Sequence, residues 1–415
     1  MNNLTNKLIP ELRFPEFKNE GEWAEKIIGD IFDSFSGGTP NTSEREYYNG
    51  DIPFIRSAEI NREKTELFLT DLGLKNSSAK IVEKGDLLIA LYGANSGDSA
   101  ISKINGAINQ AILCLKSEFS NSFTQYYLTL KKEWIVTRFV QGGQGNLSGD
   151  IVKSIPIPLS KNPTEQQKIA DCLSSLDELI TAHTSKLEIL KTYKKGLMQN
   201  LFPDPSTSSE GEKVPKLRFN EFEKDADWKE KELSELGDLI NGLTYSPNDV
   251  REKGLLVLRS SNIQNGLIDL KDCVYVREDI KGANPTKFND ILVCVRNGSK
   301  NLIGKNAIIP KEIPRATHGA FMTVFRAKIP EFVFQLFQTD FYDKQVQADL
   351  GATINSINGK NFIKYKFPVP ENPKEQQKIA DTLSSLDNLI KEQSNKIEQL
   401  KSHKKGLMQG LFPRI

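Results

Sequence analysis

The chain writes one helix twice. EQQKIADCLSSLDELI occupies Glu165–Ile180 and EQQKIADTLSSLDNLI occupies Glu375–Ile390. The likeness extends over Pro163–Pro203 and Pro373–Pro413, where 28 of 41 positions are identical. A shorter block precedes each half: PELRFPEF (Pro10–Phe17) is answered by PKLRFNEF (Pro215–Phe222), and Trp23 by Trp228 at the same offset of 205. Between these anchors the halves have diverged, keeping only echoes such as IPFIRSAEI (Ile52–Ile60) against LLVLRSSNI (Leu255–Ile263) and GDLLIALYG against NDILVCVRNG. A period of about 210 residues is far too long for a solenoid. The chain is therefore a duplication in which a variable domain is followed by a fixed helix.

The fixed segments predict long helices. Pro163 and Pro373 stand at the first helical position, where a missing N–H costs nothing. Thr164, with Gln167 three residues on, resembles a capping box. Ile169, Leu176, His183, Leu190 and Leu197 fall seven apart, and so do Leu173, Ile180, Leu187, Lys194 and Leu201. The second copy sets Ile379, Leu386, Gln393, Leu400 and Leu407 beside Leu383, Ile390, Ile397, Lys404 and Leu411. That spacing is a coiled-coil seam. If the helices pair antiparallel, His183 and Gln393 meet mid-seam as a register-setting polar layer, while Lys194 and Lys404 snorkel from its edge. About 37 residues at 1.5 Å each span roughly 55 Å, comparable to about 16 base pairs of B-DNA.

The variable regions show short β-like runs separated by Gly, Asn and Ser clusters, with helices expected at Phe123–Phe139 and Phe332–Gln347. The expected class is α+β: two α/β domains separated by two long antiparallel coiled-coil helices, in a pseudo-twofold internal repeat. The boundaries expected are 1–160 and 217–370 for the variable domains, 161–203 and 371–415 for the helices, and 204–216 for a linker rich in Pro, Ser and charge.

Composition narrows the function. No apolar run is long enough for a membrane span and the first residues lack a signal-peptide core, so a cytoplasmic location is expected. Four scattered cysteines and three histidines offer no disulfide pattern and no zinc site. The net charge of +1 hides segregation: Ile291–Pro330 carries seven Lys or Arg against one acid, and Asn220–Asp238 eight acids against three bases. Local potential is what steers a polyanion. Catalytic signatures are missing: no Asn- or Asp-Pro-Pro-aromatic tetrapeptide, no true phosphate loop in GSKNLIGKN, no nucleophile triad, and only a chance-level nuclease spelling at Glu16–Lys18.

The loops carry residue types that read base edges, namely Arg and Lys for guanine, Asn and Gln for adenine, and Ser or Thr as helpers. Candidates in the first half are Gly38, Thr39, Arg56, Ser57, Tyr92, Gly93, Lys103, Gln144 and Asn146. In the second they are Arg259, Ser260, Asn262, Arg296, Asn297, Lys300, Lys305, His318, Asn355 and Lys360. Arg56 and Arg259 follow the same strand echo and precede Ser, although that pair could equally cap a turn.

SGGTPN…YYNGDIPFIRSAEI (Ser36–Ile60), KGDLLIALYG (Lys84–Gly93), INQAI (Ile108–Ile112) and IPIPLSKNPTEQQKIADCLSSLDELI (Ile155–Ile180), with its echo at Phe367–Ile390, resemble the DNA specificity subunit of type I restriction–modification enzymes. The resemblance implies two target-recognition domains, each reading half of an asymmetric, interrupted DNA site. It also implies a non-catalytic subunit whose paired helices set the spacer and dock two methyltransferase subunits, through which motor–nuclease subunits join. S-adenosylmethionine, ATP and Mg are then expected in those partners, with no cofactor on this chain. The second half has INGLTYSPNDV (Ile240–Val250) in place of the GGTP pattern, as a reader of a different half-site would. The alternatives are the specificity subunit of a related bifunctional cut-and-modify system, or a coiled-coil adaptor whose variable domains bind proteins.

Overall fold

The computed structural model describes residues 8–139, 146–204, 214–350 and 355–414. The chain divides into two units: residues 1–185 with 394–415, and residues 186–393. Both 39-residue helices, Pro163–Leu201 and Pro373–Leu411, are thus shared, each beginning in one unit and ending in the other.

In the first unit, Asp33–Ser36, Ile112–Lys116, Leu87–Ala90 and Ser99–Ile101 form an antiparallel sheet in that order. A second sheet orders Leu67–Leu69, Tyr48–Ile55, Gly106–Ile108 and Lys80–Val82, its central pair parallel. Leu87–Ala90 is buried at all four positions, as expected for a continuous apolar run covered on both faces. Its side chains Leu87 and Ile89 pack with Phe123 and Tyr127 of the helix Asn121–Phe139.

The second unit repeats this plan despite its diverged sequence. Gly237–Asn241, Met322–Ala327, Ile291–Cys294 and Asn306–Ile308 make the first sheet. Val250–Arg251, Val274–Val276, Leu255–Leu258 and Ala316–His318 make the second, again with a parallel pair, Leu255–Leu258 with Ala316–His318. The helix expected over Phe332–Gln347 is two helices, Pro330–Leu336 and Asp340–Asp349. Thr339 adopts extended backbone between them and its hydroxyl donates to the Leu336 carbonyl, so it ends one helix and starts the next.

The start of each long helix is held by the short N-terminal block of its own half. Arg13 grips Glu165 with Nε and Nη2 at 2.6 and 2.8 Å, and Arg218 grips Glu375 at 2.8 Å from both nitrogens. Lys168 pairs with Glu16 and lies 5.1 Å from the centre of the Phe14 ring; Lys378 pairs with Glu221 and lies 5.7 Å from that of Phe219. The capping expectation needs correcting: the cap is Asn162, whose Oδ1 accepts from the Thr164 N–H at 3.0 Å, and Asn372 does the same for Lys374. Pro163 occupies the first helical position, so the side chain that can reach a free N–H belongs to the residue before it.

Within each unit the two helix segments run antiparallel. In the first, Lys404 binds both oxygens of Asp177 at 2.6 Å, while Met408 and Leu411 join the core of Ile169 and Leu173. In the second, Lys194 binds Asp387 at 2.6 and 2.8 Å, while Leu201 joins the core of Ile379 and Leu383. The seam lysines are ion-paired rather than snorkelling free, because an aspartate stands within reach in each unit. Ile169, Leu173, Leu187, Ile379, Leu383, Gln393, Ile397 and Leu400 are buried, and Leu176, Ile180, His183, Leu190, Leu386 and Ile390 half-buried. Leu179 and Leu389, off the seam, are exposed. Among the described residues no helix is long and apolar enough to cross a membrane.

Candidate nucleic-acid interface

In the first unit the candidate loops meet along one edge. Gly37 lies so close to Ile108 that a Cβ built there would overlap its carbonyl oxygen, and a Cβ at Gly38 would fall 2.6 Å from that of Ser78. This approach brings Thr39 to Gln110, its hydroxyl donating at 2.7 Å. One residue on, Ala111 accepts from the N–H of Leu91 at 2.8 Å, which fixes the end of the buried strand. Tyr92 and Gly93 follow directly, Tyr92 exposed and Gly93 at φ +77°, a value open to glycine. Asn146 closes the row, accepting from the Gly93 N–H at 3.4 Å, with Leu147 N–H on the Leu91 carbonyl. Gln144 lies outside the described residues.

The second unit builds the same edge from other side chains. Gly242 approaches Gly319 as Gly37 approaches Ile108, and the Leu243 N–H donates to the His318 carbonyl at 2.7 Å. Phe321 stands where Ala111 stands, its carbonyl accepting from Val295 and Arg296 at 3.0 and 3.1 Å. Arg296 and Asn297 therefore occupy the places of Tyr92 and Gly93. Ile357 donates to the Val295 carbonyl as Leu147 does to Leu91. Asn297 Nδ2 donates to Ser260 Oγ at 3.1 Å, and Asn355 Nδ2 to the Gly298 carbonyl at 3.2 Å. Beside this row lies a groove of about 800 Å³ lined by Tyr245, Arg259, Ser260 and Phe321 among others. Tyr245, Phe321 and Gln110 were missed from sequence. The usable signal was the offset of 205 that aligns NGLT (Asn241–Thr244) with SGGT (Ser36–Thr39), hidden because only the first of the two glycines is kept.

Other candidates are spent on the fold. Arg56 caps its own turn, bonding Glu59 at 3.0 and 3.1 Å, and also pairs with Glu66; together they raise its already high pKa. Its neighbour Ser57 instead lines a cleft of about 270 Å³ with Asn95, Asp98 and Lys132. Lys103 pairs with Glu63 at 3.4 Å. Arg259 pairs with Asp272 at 2.8 Å at the groove, keeping one third of its side-chain surface exposed. Asn262 is fully buried, its amide donating to the carbonyls of Asp269 and Asp272, and so offers no edge to a ligand. His318 is likewise fully buried, Nε2–H donating to the Ile240 carbonyl at 3.0 Å, and burial holds its pKa below the ordinary 6.5. Both are corrected to structural residues, because each side chain is enclosed and already committed to backbone carbonyls. Lys300 and Lys305 line a separate pocket beside Asp343, whose carboxyl burial pushes above its ordinary range. Lys360 is exposed in the short helix Gly359–Phe362, behind Asn358.

Residues 20–192 and 225–401 match the family described as Type I restriction modification DNA specificity domain. The Type I restriction enzyme MjaVIII specificity subunit of Methanocaldococcus jannaschii is 26% identical over 96% of this chain and 92% of its own. The EcoKI specificity subunit of Escherichia coli (strain K12) is 29% identical over 40% of this chain and 38% of its own. Among solved structures, the S subunit of a type I restriction–modification system from M. genitalium superposes with a TM-score of 0.66 at 18% identity, covering 98% of this chain and all of that one.

Proposed function

We propose, from the premise that this chain belongs to the type I restriction–modification DNA specificity family, that it reads an asymmetric bipartite DNA site, one half with each unit. The observation that carries this reading is the duplicated edge. One backbone scaffold presents Thr39, Gln110, Tyr92 and Asn146 in the first unit and Arg296, Asn297, Ser260 and Phe321 in the second. Equal scaffolds with unequal side chains suit two half-sites of different sequence, since base identity is read by side-chain donors and acceptors while backbone contacts only position. A symmetric reader would instead suit a palindrome.

The two long helices, identical at 28 of 41 positions with their flanks, supply a surface seen twice by one kind of partner, and two methyltransferase subunits fit that role. Motor–nuclease subunits would join through them. S-adenosylmethionine, ATP and Mg then belong to the partners, and this chain contributes recognition and assembly with no bond-making step of its own. The bifunctional cut-and-modify alternative shares this chemistry, but relatives named as type I specificity subunits do not favour it. The test is genome-wide mapping of methylated adenines with and without this chain. A bipartite motif that vanishes with the chain is the expected result; an unchanged methylome overturns the reading.

A further inference from the structure

Arg296 differs from the ion-paired arginines of the second unit, a difference it shares with Arg251 and Arg315. Arg218, Arg259, Arg277 and Arg326 each pair with a carboxylate, whereas among the described residues Arg296 makes no such ion pair. Its backbone is nonetheless fixed on both sides, by the Phe321 carbonyl and by a bridge to Ser356. The guanidinium carbon sits 5.7 Å from the centre of the Phe321 ring. Phe321 is 57% exposed, the turn between Ala316–His318 and Met322–Ala327 holding it out at the groove rim rather than in the core. An apolar ring left so open contributes little to folding, and its place beside the Arg296 guanidinium at a candidate DNA edge is what sets it apart from other exposed apolar side chains.

We propose that Phe321 is a positioning residue for Arg296, and that the pair reads a guanine in the half-site taken by the second unit. A ring under the guanidinium plane limits its rotamers while leaving the in-plane N–H groups facing outward. That fork matches the O6 and N7 acceptors of guanine in the major groove, and no other base offers the pair. The first unit lacks the device: Tyr92 and Ala111 occupy the same two places, so the half-sites are read by different chemistry at this point. The inference rests on the specificity reading above and deepens it.

The test is methyl transfer by the complex reconstituted with its methyltransferase subunits, on duplexes substituted one base pair at a time across both half-sites. Phe321→Ala, Phe321→Trp, Arg296→Ala and the double alanine variant are compared with the unchanged chain. The expected result is one guanine position in the second half-site where Arg296→Ala lowers discrimination by about tenfold or more. Phe321→Ala relaxes the same position, the double variant is no worse than Arg296→Ala, and Phe321→Trp restores discrimination. Discrimination across the first half-site stays unchanged in all of them. The proposal is overturned if Phe321→Ala discriminates as the unchanged chain does, if the two alanine variants relax different positions, or if both half-sites relax together. An unchanged chain that prefers no half-site at all would instead overturn the specificity reading itself.

Discussion

Arg13 and Glu165 are 7% and 1% exposed at their side chains, and Arg218 and Glu375 are 8% and 1%. Removing one member of a buried pair strands the other charge, which costs about 3–5 kcal/mol. Arg13→Leu is therefore expected to destabilise the first unit by roughly that amount in denaturant unfolding, and Arg13→Leu with Glu165→Leu by much less. His318 gives a pH signature. Its Nε2–H donates to Ile240, Nδ1 has no partner, and burial favours the neutral ring, with Asp290 opposing and Arg326 assisting the depression. The folded pKa lies below the unfolded one, so the unfolded chain takes up the proton first. Stability of the second unit should fall as pH drops below about 6.5, by at most about 1.4 kcal/mol per pH unit. His318→Gln should flatten that slope in thermal unfolding between pH 7 and pH 5. The sequence showed LRF and EQQ as repeated words but not that they touch, because a salt bridge 152 residues apart leaves no periodicity to read.

At the scale of elements, periodicity carried far. The long helices follow from it, whereas the buried strands show as short continuous apolar runs between turn residues. The break at Thr339 was missed because the apolar pattern of Phe332–Tyr342 runs through it, whereas the capping signal is a single Thr before Asp340. The equivalence of Gly37 and Gly242 was obscured for another reason: each is required by a carbonyl distant in sequence, not by its neighbours. Gly242→Ala would press a methyl into the Gly319 carbonyl, and we expect loss of second-half-site discrimination with the first half-site intact. Retained discrimination would show that the close approach does not set the edge. The Lys404–Asp177 pair is 17% and 45% exposed at its side chains, so a double-mutant cycle should return about 1 kcal/mol or less.

For the whole molecule, the duplication explains what is kept and what is free. Positions that clamp each helix to its N-terminal block stay identical, as do most seam positions apart from His183/Gln393 and Leu187/Ile397, whereas most positions along the reading edge differ. If the helices set the gap between half-sites, one heptad inserted between Leu187 and Leu197, with its equivalent in the second helix, adds about 10 Å and should widen the methylated motif by about three base pairs. The most direct test of two independent readers on one scaffold is to replace Ser36–Asp150 with the recognition segment of another family member and map the methylated adenines. The account predicts a new sequence in one half of the motif and the original sequence in the other. A change in both halves, or in neither, would contradict it.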